Sequence, residues 1–366
     1  MKVGIDTFGC DHAKSGLGSY ILNFISNLPE NSDFTFELFG AEVDRYTYTT
    51  NNGLPYNSVN ISSKLSAEIK WHKNKIKYFL KKNKYDFVIY PSCLNVIPVD
   101  FKTKGLVVVN GIISRQISGL SKRYIKQLKK GLSHCQIIVA ASHFIKKDLI
   151  SLGFDSGKIT VVRNGIDHKL FFPALESDEE FVNINPFAIK KPYFVYATKL
   201  SGPEKKHEEL IRAFEIFKKK TGLPHRLVLA GEGVEYGEKI HDMVFNCEFA
   251  SDIFIVGYFP HDSLPKLYGA AEACIFPSVS EGVGLPILEA MACGLPVLCS
   301  REGALPEIGG DAALYFDSDN ISEISELMEK VVSNSELKND MIKKGLDWSS
   351  KFSWEDTVKN TLELLK

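Results

Sequence analysis

Two glutamates eight positions apart, Glu281 and Glu289, stand in a stretch rich in glycine and proline. An apolar segment ends at Phe276, and Pro286 is typical of the first turn of a helix. The backbone amides between them would lie at a helix N-terminus, where N–H groups and the helix dipole favour phosphate oxygens. The amides concerned belong to Gly282, Val283, Gly284 and Leu285. The pattern therefore predicts a phosphate-binding loop.

The two carboxylates could bind the rest of a phosphorylated ligand. Glu289 lies one helical turn beyond Pro286, so its carboxylate would stay near the loop. There it could accept hydrogen bonds from two hydroxyl groups of a ribose, as acidic residues do in nucleotide-binding folds. Glu281 would lie in the loop and face whatever group the phosphate carries. The alternative is an ordinary strand–loop–helix with two solvated glutamates, but the glycine and proline framework favours a binding site.

Two further loops follow predicted strands and could contact the same ligand. Residues 199–207 include several cations that could neutralise a diphosphate, although a solvated charge cluster at a helix start would look the same. Gly16 and Gly18 lie between the first strand and the first helix, where the missing Cβ lets the backbone approach a ligand closely. A tight turn with nothing bound is the alternative for that loop.

Short β-rich runs alternate with helical patterns, which predicts βαβ units and parallel sheets. Strands are predicted at 3–6, 34–40, 87–90, 106–109, 137–140, 159–162, 193–197, 226–230, 253–256, 273–276, 296–299 and 313–316. Helices are predicted at 18–28, 67–82, 122–132, 144–152, 208–220, 236–245, 263–268, 286–293, 321–333 and 337–349, and after Trp354. Residues 171–190 are acidic and proline-bearing and interrupt the alternation. The sequence thus predicts two doubly wound domains and a linker, with ligands at the carboxyl ends of the strands.

Composition excludes several classes of protein. The 366 residues are 44% hydrophobic and 24% charged, and no run approaches the roughly 18 apolar residues of a spanning helix. The first residues are typical of a strand rather than of a signal peptide, so we expect a cytoplasmic protein. The seven cysteines form no CxxC pair, and Asp317-Ser318-Asp319 is typical of a helix start, so no metal site is predicted.

The net charge of −1 hides two halves of opposite sign. Residues 1–170 hold 24 Lys and Arg against 13 Asp and Glu, a net +11, and the remaining residues carry −12. The near-neutral total argues against general nucleic-acid binding. The asymmetry indicates that the first half meets something anionic, or that the halves attract each other across a cleft.

The glutamate stretch resembles the E-x7-E signature of the retaining, nucleotide-sugar-dependent glycosyltransferases of the GT-B fold, which include glycogen synthases and bacterial mannosyl- and glucosyltransferases. Residues 16–20, 161–167, 199–207 and 304–307 are similar to that family's glycine loop, first-domain end, donor loop and the segment after E-x7-E. The resemblance implies an α/β chain with two Rossmann-like domains facing a central cleft. These would be an acceptor domain at 1–170, a linker at 171–190, a nucleotide-sugar-binding domain at 191–348 and a C-terminal helix at 349–366 that crosses back to the first domain.

For the site, the resemblance implies transfer of a hexose from a nucleoside diphosphate sugar with retention, without a metal or other cofactor. Lys199, where arginine is usual, and Lys205 would stabilise the diphosphate, while Glu289 binds the ribose and Glu281 orients the sugar. The backbone of Phe259 would pair with the base. From the first domain, the glycine loop with Gly16 and Gly18 would bring Gly16 to the diphosphate.

One departure from the family concerns the position after the strand 106–109. The family usually places a histidine there, close to the donor sugar, whereas this chain has Asn110. Asparagine cannot take up a proton at neutral pH and so could not act as a general base. In the front-side attack usually pictured for the family, the departing phosphate takes the acceptor's proton and the histidine mainly contacts the sugar. Asn110 could then replace it, and an active enzyme is favoured over an inactive relative.

Two lysine-rich segments with interleaved aromatic residues, 70–84 and 122–130, lie in the first half. Basic amphipathic helices bind anionic membrane surfaces, although a solvated helix face is the usual explanation of such runs. In the family the first domain receives the acceptor, and many bacterial relatives use polyprenyl-linked sugars. The resemblance therefore implies a peripheral enzyme at the inner membrane face that glycosylates a lipid-linked glycan in bacterial surface polysaccharide synthesis, with GDP-mannose favoured by family habit.

Other functions stay open at this point. A nucleotide-sugar epimerase or phosphorylase could use the same scaffold, although nothing marks the pyridoxal phosphate lysine of a phosphorylase. A Rossmann oxidoreductase is disfavoured because neither half holds a complete GxGxxG. A non-catalytic sugar-nucleotide-binding subunit is supported by Asn110 alone, and it would hold nucleotide without releasing free sugar.

Overall fold

The computed structural model describes residues 1–10, 12, 16–30, 32–50, 53–62, 64–92, 97–173, 179–184, 187–233 and 235–366. These residues form two compact units. Unit 1 comprises Met1–Gly165 and Ser353–Lys366, and unit 2 comprises Ile166–Phe352. The chain therefore leaves unit 1 once and returns to it for its last residues.

Unit 1 contains a seven-stranded parallel sheet in the order β3-β2-β1-β4-β5-β6-β7. Its strands are β1 (Lys2–Asp6), β2 (Thr35–Ala41), β3 (Tyr56–Val59), β4 (Phe87–Tyr90), β5 (Lys104–Val109), β6 (Ile137–Ala140) and β7 (Ile159–Val161). Its helices are α1 (Gly16–Ser26), α2 (Arg45–Thr49), α3 (Leu65–Asn74), α4 (Ile76–Asn83), α5 (Ile113–Gln116), α6 (Lys122–His134), α7 (His143–Ser151) and, from the end of the chain, α15 (Trp354–Glu363). The central strand β4 is buried at every residue, because a parallel sheet is covered on both faces.

Unit 2 contains a six-stranded parallel sheet in the order β12-β11-β10-β13-β14-β15. Before it comes an antiparallel hairpin of β8 (Phe181–Ile184) and β9 (Phe187–Lys190). The sheet strands are β10 (Tyr193–Ala197), β11 (Arg226–Ala230), β12 (Ile253–Gly257), β13 (Ala273–Phe276), β14 (Val297–Ser300) and β15 (Ala313–Phe316). The helices are α8 (His207–Thr221), α9 (Glu235–Phe245), α10 (Leu264–Gly269), α11 (Leu285–Ala292), α12 (Leu305–Gly309), α13 (Ile321–Ser333) and α14 (Ser335–Ser349).

Both sheets reverse their strand order next to their first strand. The chain passes from β1 to β2 and β3 on one side and returns to β4 on the other, and it does the same from β10 to β13. Open α/β sheets bind ligands at the carboxyl ends of their strands beside such a switch point. In unit 2 the loops after β10 and β13, which hold the predicted lysines and Glu281, lie at this point. In unit 1, Gly16 begins the first helix after β1.

The last helix, α15, packs into the core of unit 1. Trp354 and Leu362 are buried in the same hydrophobic cluster as Ile5, and the indole lies edge-on to Tyr20 with 5.4 Å between ring centroids. Gly165 lets the two parts of the chain pass closely, because a Cβ there would lie 2.2 Å from the backbone nitrogen of Trp354. The core of unit 1 thus includes the end of the chain.

Several local features differ from the prediction, among them the short helices α2, α5 and α12, which were not predicted. The single helix expected at 67–82 is two helices interrupted at Lys75, which allows both Trp71 and Ile76 to be buried although they are five residues apart. Strand β3 was not predicted because its sequence, Tyr-Asn-Ser-Val, is partly polar, as suits an edge strand. The segment interpreted as a linker contains the hairpin β8–β9. The segment 317–319, interpreted as a helix start, does precede α13, and the cap of that helix is Asn320, whose side chain accepts a hydrogen bond from the Glu323 amide.

Candidate functional site

The loop after β13 enters helix α11 through Gly284. This residue has a φ of 72°, a left-handed conformation that glycine adopts without steric cost. The neighbouring loop after β14 packs on it through Gly303, where a Cβ would lie only 2.6 Å from the carbonyl oxygen of Glu281. The Ala304 amide donates to that same oxygen over 2.9 Å. Two glycines therefore allow the backbone around Glu281 to be fixed at the N-terminus of α11.

The carboxylate of Glu281 is held by a cation and a hydroxyl. Lys205 Nζ lies 2.6 Å from Glu281 Oε1, and Ser278 Oγ donates to that oxygen over 3.0 Å. The Lys205 and Glu281 side chains are only 17% and 16% exposed, so water screens their attraction less than at a free surface. Ser300 Oγ donates to the Ser278 carbonyl over 2.6 Å. The structure thus brings two predicted residues into direct contact at the switch point.

The three lysines of the loop after β10 differ from one another in their contacts. The backbone carbonyl of Lys205 accepts a hydrogen bond from the buried Tyr196 hydroxyl over 2.9 Å. Lys206 has a left-handed φ of 56° and pairs with Glu209 and Asp319. Lys199 is exposed and, in the described ranges, makes no ion pair. The structure therefore does not bring Lys199 to Glu281, but it leaves that ammonium free to meet an anion.

A glycine turn after β11 supports the base of this loop. A Cβ on Gly231 would lie 1.9 Å from the Thr198 carbonyl oxygen, and one on Gly233 would lie 2.4 Å from that of Leu200. The Leu200 amide donates to the Glu232 carbonyl over 2.8 Å. The glycines at these positions thus let two loops at the sheet edge pack backbone to backbone.

His207 begins helix α8 directly after the lysines. Its side chain is fully buried, and neither ring nitrogen has a partner among the described residues. Burial, and then the charge of Lys205, lower the pKa of His207 to about 4. The imidazole is therefore neutral at physiological pH and adds no charge to the basic loop.

Glu289 lies on α11 with its side chain only 9% exposed. Its Oε1 is 3.1 Å from Nε2 of His261, a residue in the turn after β12. The hydrogen bond with Glu289 raises the pKa of His261. Phe259, predicted to contact the base, is buried two residues before this histidine. Glu289 therefore has a partner of its own, separate from the Lys205–Glu281 pair.

In unit 1 the two predicted glycines lie in the first turn of α1, not before the helix as predicted, and Asn110 directly follows β5. Gly16 is exposed at the first position of α1, and a Cβ there would meet nothing within 4 Å, whereas Gly18 is buried in the helix. Asn110 Oδ1 accepts from Asn164 Nδ2 over 3.0 Å. The Asn110 Nδ2 atom is buried and has no partner among the described residues. The pair thus leaves the Asn110 amide with unused N–H donors.

Three contacting residues were not predicted for the site: Ser278, His261 and Asn164. Ser278 and His261 belong to no spacing that carries chemistry by itself. Asn164 was noted only as part of the segment 161–167. The one available signal was proximity along the chain, since Ser278 precedes Glu281 by three residues and His261 follows Phe259 by two.

No helix in the described part of the chain is long and apolar enough to cross a membrane. Within the same residues, no group of three or more His, Cys, Asp and Glu could hold a metal ion.

Two family models match the chain: residues 177–348 match "Glycosyl transferases group 1", and residues 14–170 match "Glycosyltransferase Family 4". The O-antigen chain mannosyltransferase B of Escherichia coli is 28% identical over 246 residues, which are 67% of this chain and 64% of that protein. The serotype-specific mannosyltransferase WbdA of Escherichia coli is 30% identical over 172 residues, 46% of this chain and 21% of that protein. The chain thus spans less than two thirds of the length of these relatives.

Solved structures are similar over the whole chain. Sucrose-phosphate synthase from Thermosynechococcus elongatus has a TM-score of 0.74 at 17% identity and covers 100% of this chain and 98% of its own. HepE from Anabaena, solved in complex with UDP-glucose, has a TM-score of 0.76 at 15% identity and covers 100% and 99%. At these identities the similarity shows the fold, which is GT-B.

Proposed function

Because the chain belongs to the group 1 glycosyltransferases of Family 4, a retaining family, we propose that it transfers a hexose from a nucleoside diphosphate sugar to a glycan. The observation that carries the proposal is the contact of Lys205 with Glu281 beside the N-terminus of α11. It combines a cation, a carboxylate and backbone donors at the switch point of a nucleotide-binding type of sheet. We infer that the diphosphate binds there.

Most of the residues proposed to bind the donor lie in unit 2. The free ammonium of Lys199 and the amides of Gly282 to Leu285 would neutralise the diphosphate, as a helix N-terminus favours anions. Lys205 is held by Glu281 over 2.6 Å and would need little rearrangement to stabilise the leaving phosphate. Glu289 would accept the ribose hydroxyls, and the Phe259 backbone would contact the base.

The transfer step needs the sugar and the acceptor hydroxyl on one face of the anomeric carbon. We propose that Glu281 orients the sugar and that the departing phosphate takes the acceptor's proton. The bond from the anomeric carbon to the phosphate oxygen breaks while the bond to the acceptor oxygen forms on the same face. Asn110, with its unused N–H donors, would donate to a sugar hydroxyl, and the backbone at Gly16 would approach the diphosphate.

The acceptor that we propose is a lipid-linked glycan, with mannose from GDP-mannose as the transferred sugar. The relatives in Escherichia coli are named an O-antigen chain mannosyltransferase and a serotype-specific mannosyltransferase, which supports mannose as the transferred sugar. The basic face of α6 supports a membrane surface. Its exposed cations make no ion pair in the described ranges and are Lys122, Arg123, Lys126, Lys129 and Lys130. Its apolar side, with Leu128 and Leu132, is buried, so the cations face outward.

A ligand panel tests the donor. Binding to the folded state raises the melting temperature, so GDP, UDP, ADP and their sugars can be ranked by thermal shift. We expect GDP and GDP-mannose to give the largest shifts, and slow release of free mannose to show turnover. A chain that none of these compounds stabilises would contradict the proposal.

A non-catalytic nucleotide-sugar-binding subunit is the second candidate, and Asn110 in place of the family's histidine is the observation that favours it. Such a subunit would be stabilised by a donor sugar without hydrolysing it. Release of free sugar, followed over hours and compared with Glu281→Gln, separates the two functions.

A further inference from the structure

His261 makes a contact that the donor-binding proposal does not explain. Its Nε2 atom lies 3.1 Å from Glu289 Oε1, and it is the one hydrogen-bond partner of that carboxylate among the described residues. The two side chains differ in exposure: that of Glu289 is 9% exposed and that of His261 is 53% exposed. A carboxylate that is nearly out of water thus depends on one imidazole for its hydrogen bonding.

The imidazole is itself held in place. Its ring lies edge-on to Phe171, with 5.1 Å between ring centroids and an interplanar angle of 72°. Phe171 is 1% exposed, and its amide donates to the Asp167 carbonyl over 2.8 Å, so the turn that carries it is fixed. The His261 ring therefore has a defined position from which its Nε2–H donates to Glu289.

This donation matters because a nearly buried carboxylate that lacks a hydrogen-bond donor is costly. Without a donor, the carboxyl group of Glu289 could rotate. With Nε2–H on Oε1, the carboxylate is held in one orientation. Oε2 and the second lone pair of Oε1 stay available, which matches the two neighbouring hydroxyls of a ribose.

We propose that His261 is a positioning residue that holds the Glu289 carboxylate in the orientation needed to accept hydrogen bonds from the ribose 2′ and 3′ hydroxyls. The inference rests on the proposed nucleotide-sugar function and adds a residue that determines recognition of ribonucleotides. It predicts that His261 affects nucleotide binding only when the ribose hydroxyls are present.

The test is calorimetric titration of the full chain with GDP and UDP and with their 2′,3′-dideoxy forms. His261→Ala should weaken binding of the ribonucleotide that the wild type prefers by about tenfold, the usual effect of losing a hydrogen bond to a charged group. Binding of the dideoxy form should stay within about twofold. His261→Gln, which keeps an N–H donor at a similar distance, should restore most of the affinity. His241→Ala, an exposed histidine on α9, is the matched control.

The possible outcomes separate this inference from the proposed function. If wild type and Glu289→Ala discriminate ribose from dideoxyribose as expected but His261→Ala binds like wild type, His261 does not position Glu289. An equal loss for both nucleotide forms would assign His261 to folding or to the base and would also overturn the inference. If the wild type binds neither nucleotide, or Glu289→Ala does not change the discrimination, the ribose role of Glu289 fails, and this inference fails with it.

Discussion

The contact of Lys205 with Glu281 combines two functions in one pair of side chains. The lysine lowers the cost of keeping a carboxylate in a site that is mostly shielded from water, and the carboxylate holds the ammonium in one position. Ser278 adds a hydroxyl donor to the same carboxylate oxygen. A charge pair arranged in this way can respond to an arriving diphosphate with little reorganisation, which favours stabilisation of a leaving group.

The first residue-scale prediction concerns Glu281→Gln. The amide keeps the size of the side chain and can still accept from Ser278, but it loses the charge. We expect the transfer rate to fall by about 100-fold or more, because electrostatic stabilisation of the reacting group is lost. Nucleotide affinity should stay within about threefold of the wild type, since Lys205 is freed and not removed. Transfer of a radiolabelled sugar measures the rate, and titration calorimetry measures the nucleotide affinity.

The control for this variant is Glu302→Gln, which changes an exposed glutamate in the loop after β14. It should leave both quantities unchanged. Full transfer activity in Glu281→Gln would show that the carboxylate does not act on the sugar.

The second residue-scale prediction uses the pKa of His207, which burial lowers to about 4. In the unfolded chain this histidine binds a proton near pH 6.5. The contribution of His207 to the free energy of unfolding is therefore complete above that pH and is lost progressively as the pH falls toward 4. At pH 5 the loss amounts to about 2 kcal/mol. His207→Leu should remove this part of the acid sensitivity, as measured by urea unfolding at pH 7.5 and pH 5.

His241→Leu serves as the control for loss of an exposed imidazole. An acid-induced loss of stability in His207→Leu as large as that of the wild type would mean that other groups cause it.

Sequence patterns predict some residues of the candidate site better than others. Glu281 and Glu289 stand in a motif, and Lys205 follows a strand, so type and spacing point to them. His261 and Ser278 act through contacts between loops after different strands, and no spacing encodes those. The contact of Asn110 with Asn164 spans 54 residues and depends on the loops after β5 and β7. Such contacts exist only once the sheet is built.

At the scale of elements, the loops at the carboxyl edge of unit 2 are fixed through glycines. Gly303 lets the loop after β14 touch the backbone of Glu281, and Gly231 does the same between the loops after β10 and β11. A glycine with positive φ therefore has two roles here: it adopts a left-handed backbone conformation, and it leaves room for a neighbouring backbone. The two roles can be separated by comparing a crowded glycine with an uncrowded one.

Gly303→Ala and Gly222→Ala form such a comparison, because both residues have a φ of 64°. A Cβ at Gly222, the C-terminal cap of α8, would meet nothing within 4 Å, whereas one at Gly303 would lie 2.6 Å from Glu281. Both variants should lose about 1 to 2 kcal/mol of stability from backbone strain. We expect only Gly303→Ala to lose transfer activity in addition, by at least about tenfold, because Glu281 must shift.

Urea unfolding and transfer assays at a temperature where both variants are folded measure the two effects. Equal transfer activity in the two variants would show that the reaction tolerates a shift of Glu281.

Most elements follow from local patterns. The buried strands of both sheets are short apolar runs between turn residues, and the predicted α/β fold class with two doubly wound sheets is confirmed. Strand β3 was missed because its pairing with β2, not its composition, makes it a strand. The break at Lys75 was missed because packing of Trp71 and Ile76 decides it. Tertiary contacts outweigh local propensity in both cases.

At the scale of the whole molecule, charge is divided between the two halves of the sequence. The first 170 residues carry +11 and include the lysine-rich helices α3, α4 and α6. The exposed lysines of these helices make no ion pairs within the described residues, so their field is not locally neutralised. Exposed basic helices of this kind favour an anionic partner, such as a membrane surface.

Vesicle binding tests this expectation. Lys126→Glu combined with Lys129→Glu reverses two charges on the exposed face of α6, and each lysine near anionic lipid contributes about 1 kcal/mol. We expect binding to phosphatidylglycerol vesicles at low salt to fall by more than about tenfold. Sedimentation with the vesicles measures the bound fraction.

A matched variant, Lys330→Glu with Lys343→Glu, reverses two exposed lysines of unit 2 and should bind like the wild type. High salt should release the wild type and this matched variant from the vesicles, because it screens exposed charges. Wild-type protein that does not bind these vesicles at low salt would rule out the peripheral membrane role.

The central claim is that unit 2 binds a nucleoside diphosphate sugar with Glu289 on its ribose, and the most direct measurement is the dissociation constant of the donor. Calorimetric titration of GDP-mannose and UDP-glucose into wild type and Glu289→Ala provides it. The account predicts saturable binding of one donor to the wild type and affinity at least about tenfold weaker in Glu289→Ala. Equal affinity in the two proteins, or no binding of either donor to the wild type, would contradict it.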